Sequence, residues 1–242
     1  MAILVLPRDT AALGRRLPQL LGGLLLYGIS MGLAYRAGLG QSPWGVFHQG
    51  VAARLGLSIG TVVNLTGLAV LLLWIPLRQR PGLGTIGNVL VLGVAMDGTD
   101  ALLPAQHGLP SQLALLVAGI LLNGLATGLY IGARLGPGPR DGLMTGLHQR
   151  TGRSVRLLRT GLELTVLLVG VLLGGRAGVG TVAYALAIGP LTQFFLRWCT
   201  VAPGPAAPTP SPGRTPVAPG GPEGMNFGPG GPGSSRAGAG VS

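Results

Sequence analysis

The chain has 242 residues, of which 10% are charged and 48% hydrophobic, whereas a soluble globular domain is about a quarter charged. This excludes an ordinary water-soluble domain. The formal net charge of +11 would suit a phosphate backbone, but its arginines follow the loops instead of forming one patch, which excludes nucleic acid and leaves the lipid bilayer as the partner.

Residues 1–14 read as a short flexible cytoplasmic lead-in. Six apolar runs follow at about 17–36, 58–77, 83–103, 113–133, 156–174 and 178–198, each near the roughly 20 residues with which a helix crosses about 30 Å of hydrocarbon. Inside lipid the backbone must satisfy its own hydrogen bonds, and these runs lack the alternation of a barrel strand. The fold class is therefore an all-α polytopic membrane protein of about six spans. Arg15 and Arg16 precede the first run, but it is too long for a signal core and lacks a small-x-small cleavage site, so it reads as an uncleaved span. Alternate connections carry 14 and 3 of the 17 arginines, which places both termini in the cytoplasm. Residues 201–242, rich in Pro, Gly, Ala and Ser, read as a disordered cytoplasmic tail because so few large apolar groups cannot offset the entropy of ordering.

Sliding the chain by 96 positions aligns 23–97 with 119–193 and gives 25 identities in 75 positions. The matches include punctuation that apolar helices need not share, such as Gly40 with Gly136, Pro43 with Pro139, and Gly82, Gly84 and Thr85 with Gly178, Gly180 and Thr181. Residues 15–110 and 111–200 are thus two copies of a three-helix unit. Three spans is an odd number, so the second copy enters the membrane from the other side, which makes a 3+3 inverted repeat. Transporters often place their site at such a repeat interface, near the midplane.

The loop after the first span of each copy stops its helix with Gly and Pro and then begins a short helical stretch, over 41–56 and 137–152. The motif residues are Gly40, Pro43 and Trp44 in copy one and Gly136, Pro139, Arg140 and Asp141 in copy two. In copy one Trp44, Phe47, Val51 and Leu55 recur at spacings of three and four, as on one apolar face. Each stretch is either an interfacial amphipathic helix or a re-entrant half-helix whose N-terminal N–H groups point inward. Gly28 and Gly32 in the first span, and Gly124 and Gly128 in the fourth, are small-xxx-small patterns expected to pack these two equivalent helices together.

Ionisable groups within spans are expensive and often functional. Glu163 is such a group, although Arg159 four residues earlier is placed to pair with it. Asp97 aligns with Gln193 in the repeat register, and Asn88 adds a further polar position. These five residues are the candidate substrate or coupling groups. A lone Cys199 excludes a disulfide framework, His48, His107 and His148 share no repeat register, and no nucleophile and base stand together. No metal or cofactor is expected, and no enzymatic activity, an intramembrane enzyme being the third alternative.

The segments SPWGVFHQG with LSIGTVVNLTGLAVLLLWIPLRQRPGLGT, and GPGPRDGLMTGL with GVGTVAYALAIGPLTQ, resemble the YczE/YyaS/YitT family of bacterial integral membrane proteins, most closely its YczE-like branch, over about 15–198. Relatives often carry an acidic residue after the Trp, where this chain has Gly45. The resemblance implies a multi-pass protein of the bacterial cytoplasmic membrane and brings no reaction, substrate or site residue. The expected function is a small-solute permease of unknown substrate, the alternative being a membrane helper or regulatory protein for synthesis or export of another product. The sequence leaves the solute, any membrane partner and the oligomeric state open.

Overall fold

The computed structural model describes residues 10–104 and 106–200; the expectations for residues 1–9 and for the 201–242 tail lie outside this range. Among the described residues there are eight helices and no strand: α1 (Thr10–Ala37), α2 (Pro43–Leu55), α3 (Ile59–Leu77), α4 (Leu83–Leu102), α5 (Leu109–Gly132), α6 (Pro139–Thr151), α7 (Val155–Leu172) and α8 (Val179–Cys199). The six long ones match the six apolar runs to within a few residues, except that α1 begins at Thr10, within the stretch expected as lead-in. Four of them, α1, α3, α5 and α8, are long and apolar enough to cross a membrane. Asp97 and Asp100 lower the apolarity of α4, and Arg156, Arg159 and Glu163 that of α7.

The helix boundaries repeat because their signals repeat. Ser58 and Ser154 cap α3 and α7 by accepting from the N–H groups of Thr61 and Leu157. Pro43 and Pro139 occupy the first helical position of α2 and α6, where a missing N–H costs nothing. Gly56 and Gly152 then end these helices in the left-handed conformation, at φ 66° and 67°.

The packing is also paired. α1 lies on α4 and α5 on α8, α2 lies on α7 and α3 on α6, and α1 and α5 form the central contact. A Cβ on Gly23 of α1 would stand 2.9 Å from the Tyr130 nitrogen of α5, and one on its repeat counterpart Gly119 would stand 3.1 Å from the Ala34 nitrogen of α1. These two glycines let the central pair approach. Gly28 and Gly32 do not serve that contact. They face α4, where added Cβ atoms would lie 2.5 Å from Ala95 Cβ and 2.7 Å from Thr99 Cβ. Gly124 and Gly128 face α8, at 2.8 Å from Leu191 Cβ and 2.9 Å from Phe195 Cβ. The small-residue stripes thus bind each first helix to the last helix of its own copy, because the stripe and the central glycine lie on different faces of α1 and α5.

One pair lacks its counterpart. α3 crosses α4 where Gly60 meets Gly93; a Cβ on Gly60 would fall 2.0 Å from the Gly93 oxygen. The crossing is tied by the Gly93 N–H donating to Asn64 Oδ1 at 2.9 Å and the Gly60 N–H donating to Asp97 Oδ1 at 2.7 Å. α7 and α8 do not pack together in this way. The repeat counterparts of Gly60, Val63 and Gly67 are Arg156, Arg159 and Glu163, which line one face of α7 with charge. Gly189, the counterpart of Gly93, has open space where a side chain would go.

Candidate functional site

The loops before α2 and α6 are held by the opposite copy. Gly40 and Gly136 take φ values of 106° and 125°, a region costly for residues with a Cβ. There the chain runs against the start of the other copy's last helix. The Gly180 N–H donates to Leu39 O at 2.8 Å and the Gly84 N–H to Leu135 O at 2.8 Å. Thr85 Oγ1 donates to Pro137 O at 2.7 Å. This reciprocal docking aims the N-termini of α2 and α6 at each other.

α2 is buried on more than one side: Val46 and His48 are inaccessible, and Gly45, Gly50 and Ala52 are buried as well. A surface-lying helix would expose half its circumference. The expected apolar stripe is buried only at Trp44; Phe47 and Val51 are half-buried and Leu55 is 63% exposed. Small residues contribute to the buried face, with Gly50 against the Gly170 carbonyl and Gly175 against Val46. α6 buries Gly142 and Gly146 similarly; Gly142 faces Trp74, whose indole N–H donates to Pro139 O at 2.9 Å. Both short helices thus seat their small residues against longer helices, while the C-terminal turns of each, residues 53–55 and 148–151, are exposed.

Where the two N-termini meet, the Arg140 guanidinium lies 4.4 Å over the centre of the Trp44 ring, a cation–π contact. Trp44 and Arg140 are counterparts in the 96-residue register. Beside them is a cavity of about 290 Å³, whose wall includes Pro43, Trp44, Pro139, Arg140 and Asp141, together with Asn88, Arg159 and Glu163. Eight of the sequence-derived candidates thus converge on one space. Arg159 Nε donates to Glu163 Oε1 at 3.0 Å, the expected i,i+4 pair. Asp141 Oδ2 accepts from the Tyr130 hydroxyl at 2.7 Å.

Asp97 and Gln193 stand apart. Asp97 accepts from the Gly60 N–H and from Ser58 Oγ at 2.6 Å, which makes it a cap on the start of α3. Gln193 is exposed on α8 and does not line the cavity. Sequence reasoning missed the tyrosines. Tyr27, Tyr130 and Tyr184 all line the cavity, and Tyr184 is the repeat counterpart of Asn88, a signal present in the 96-residue alignment.

Toward the α1–α2 loop a void of about 10 Å³ follows, room for about one water, bounded by Ser30, Gln41, Asn123 and Tyr184. Asn123 Nδ2 donates to Ser30 Oγ at 2.7 Å, and the Tyr184 hydroxyl donates to Asn123 Oδ1 at 2.8 Å. Gln41 continues into a second hollow of about 340 Å³ walled by Arg36, Gln49, Gln112 and Arg176. Among the described residues no group of three His, Cys, Asp or Glu side chains could hold a metal ion.

Residues 14–197 match a family model described as a family of unknown function, DUF6198. The chain is 44% identical over 178 residues to an uncharacterized protein of Haemophilus influenzae, covering 74% of this chain and 82% of that protein. It is 34% identical over 174 residues to the uncharacterized membrane protein YczE of Bacillus subtilis, covering 72% and 80%, and 25% identical over 178 residues to YyaS of the same organism, covering 72% and 89%. No solved structure matches. The resemblance in the loop motifs and the apolar helices agree with these relatives: the chain belongs to the DUF6198 family and is a YczE/YyaS-like bacterial membrane protein.

Proposed function

We propose that the protein is a small-solute permease of the bacterial cytoplasmic membrane, non-catalytic, with six spanning helices in a 3+3 inverted repeat and both termini in the cytoplasm. In this reading α4 and α7 also cross the bilayer, their charged residues facing protein or the cavity and not lipid. The observation that carries it is the cavity where α2 and α6 converge, at the contact of the repeat-equivalent Trp44 and Arg140. Sites formed by broken helices at a repeat interface suit alternate access from two sides. The file of one-water void and amide-lined hollow extends from that cavity toward the outer loops, and the charged face of α7 borders it on the inner side.

The test is flux in proteoliposomes. Wild-type protein should admit small polar solutes faster than empty liposomes, and Glu163→Gln should lower that flux by at least several-fold while the protein still inserts and stays monodisperse. Flux equal to empty liposomes across neutral, anionic, cationic and zwitterionic solutes, together with co-purification of one stoichiometric membrane partner, would support the helper function instead.

A further inference from the structure

The charges around the central cavity are unevenly satisfied. Arg159 and Glu163 neutralise each other at 3.0 Å. Arg140 and Asp141, at the start of α6, form no ion pair with any described residue. Arg140 rests its guanidinium on the Trp44 ring, which leaves its N–H edge unused, and Asp141 accepts one hydrogen bond, from Tyr130. Arg140 is half-buried and Asp141 exposed, so both charges are open to a ligand group of opposite sign. Two adjacent residues of opposite sign that do not bind each other present a matched pair to whatever fills the cavity.

A simple anion on Arg140 would lie next to the Asp141 carboxylate, and a simple cation on Asp141 would lie next to the guanidinium. Each is opposed by the neighbouring residue. A solute with a negative and a positive group a few ångströms apart meets both. The rest of the wall includes Val63, Val70, Val89, Leu92, Met144 and Ile188, which suits an aliphatic substituent, and about 290 Å³ is ample for one small molecule of that kind.

We propose that this cavity binds a small aliphatic zwitterion of the α-amino-acid type, its carboxylate on the Arg140 guanidinium and its ammonium on the Asp141 carboxylate. This rests on the permease reading for the role of the cavity, but not for its chemistry. Planar guanidinium and carboxylate groups form charge-assisted, bidentate hydrogen bonds. The free N–H groups in the first turn of α6 add a favourable field for the carboxylate.

The experiment is a thermal-shift and calorimetric titration of the purified full-length protein in detergent with three probes of one carbon skeleton: leucine, isopentylamine, which lacks the carboxylate, and 4-methylpentanoate, which lacks the ammonium. Leucine should raise the melting temperature, and the other two should bind at least tenfold more weakly. Arg140→Gln and Asp141→Asn should each weaken leucine at least tenfold. If either variant fails to fold, the ranking of the three probes on wild-type protein decides alone. Equal binding of 4-methylpentanoate and leucine would overturn the proposal in favour of an anion site. No shift with leucine, valine, alanine or methionine would overturn it outright. Binding without flux would remove the permease reading and leave this one, whereas flux of other solutes without zwitterion binding would do the reverse.

Discussion

At the scale of single residues, position in the repeat separates structural from site-forming polar groups. His48 is fully buried and neither ring nitrogen has a hydrogen-bond partner, while its counterpart in copy two is Met144, also buried. Removing an unsatisfied buried polar group for an apolar one of similar size is close to neutral or favourable. His48→Met should therefore hold or raise the melting temperature in detergent, read by thermal unfolding; a fall of several degrees would show that the imidazole makes a bond essential to α2. Asp97→Asn should cost about 1 kcal/mol of stability by weakening the cap on α3 and leave leucine binding unchanged. A loss of binding would return Asp97 to the site. The sequence marked both Asp97 and Glu163 as ionisable groups in apolar runs, but which one faces a cavity depends on what stands opposite, and that is set by helices distant along the chain.

At the scale of elements, the lengths and ends of the helices were legible except for the start of α1 at Thr10, because Ser, Pro and Gly signals act within a few residues. The pairing of faces was not. A small-xxx-small pattern tells that something approaches closely, and Gly28 and Gly32 would have served α5 as well as α4 on composition alone. The one-residue-wide evidence for the central contact, Gly23 with Gly119, lay outside the stripe. Likewise the stripe Trp44, Phe47, Val51 and Leu55 had the period of a buried face, yet beyond Trp44 the buried side of α2 is Val46, His48 and the small residues Gly45, Gly50 and Ala52, whose weak hydropathy hides close packing. The unequal crossings give a direct test. Gly60→Ala puts a methyl group against the Gly93 backbone and should destabilise by roughly 1–3 kcal/mol, the usual range for overpacking, whereas Gly189→Ala meets open space and should be neutral or slightly stabilising through helix propensity. Melting temperatures of the two variants should differ accordingly, and equal values would argue that α3 and α4 part readily.

At the scale of the molecule, the 96-residue register foretold that the copies would be related, and the paired helix contacts carry that relation into space. Orientation in the membrane comes from the arginine distribution, so it is tested separately. Reporter fusions after Arg80 and Arg150 should give cytoplasmic signals and one after His107 a periplasmic signal; a periplasmic signal after Arg150 would mean that α6 crosses completely and would remove the inverted arrangement.

The crossing of α3 and α4 is interlocked backbone to backbone, and its counterpart between α7 and α8 is not. Mechanically the protein is lopsided. Rocking α8 away from α7 disengages no glycine seat and breaks no tie like that from Asn64 or Asp97, so displacement is cheapest along the side that bears Arg156, Arg159 and Glu163. Under the permease reading, the clasped side is the fulcrum and the charged side the free arm, an assignment made by the replacement of Gly60 and Gly67 with Arg156 and Glu163 in the second copy.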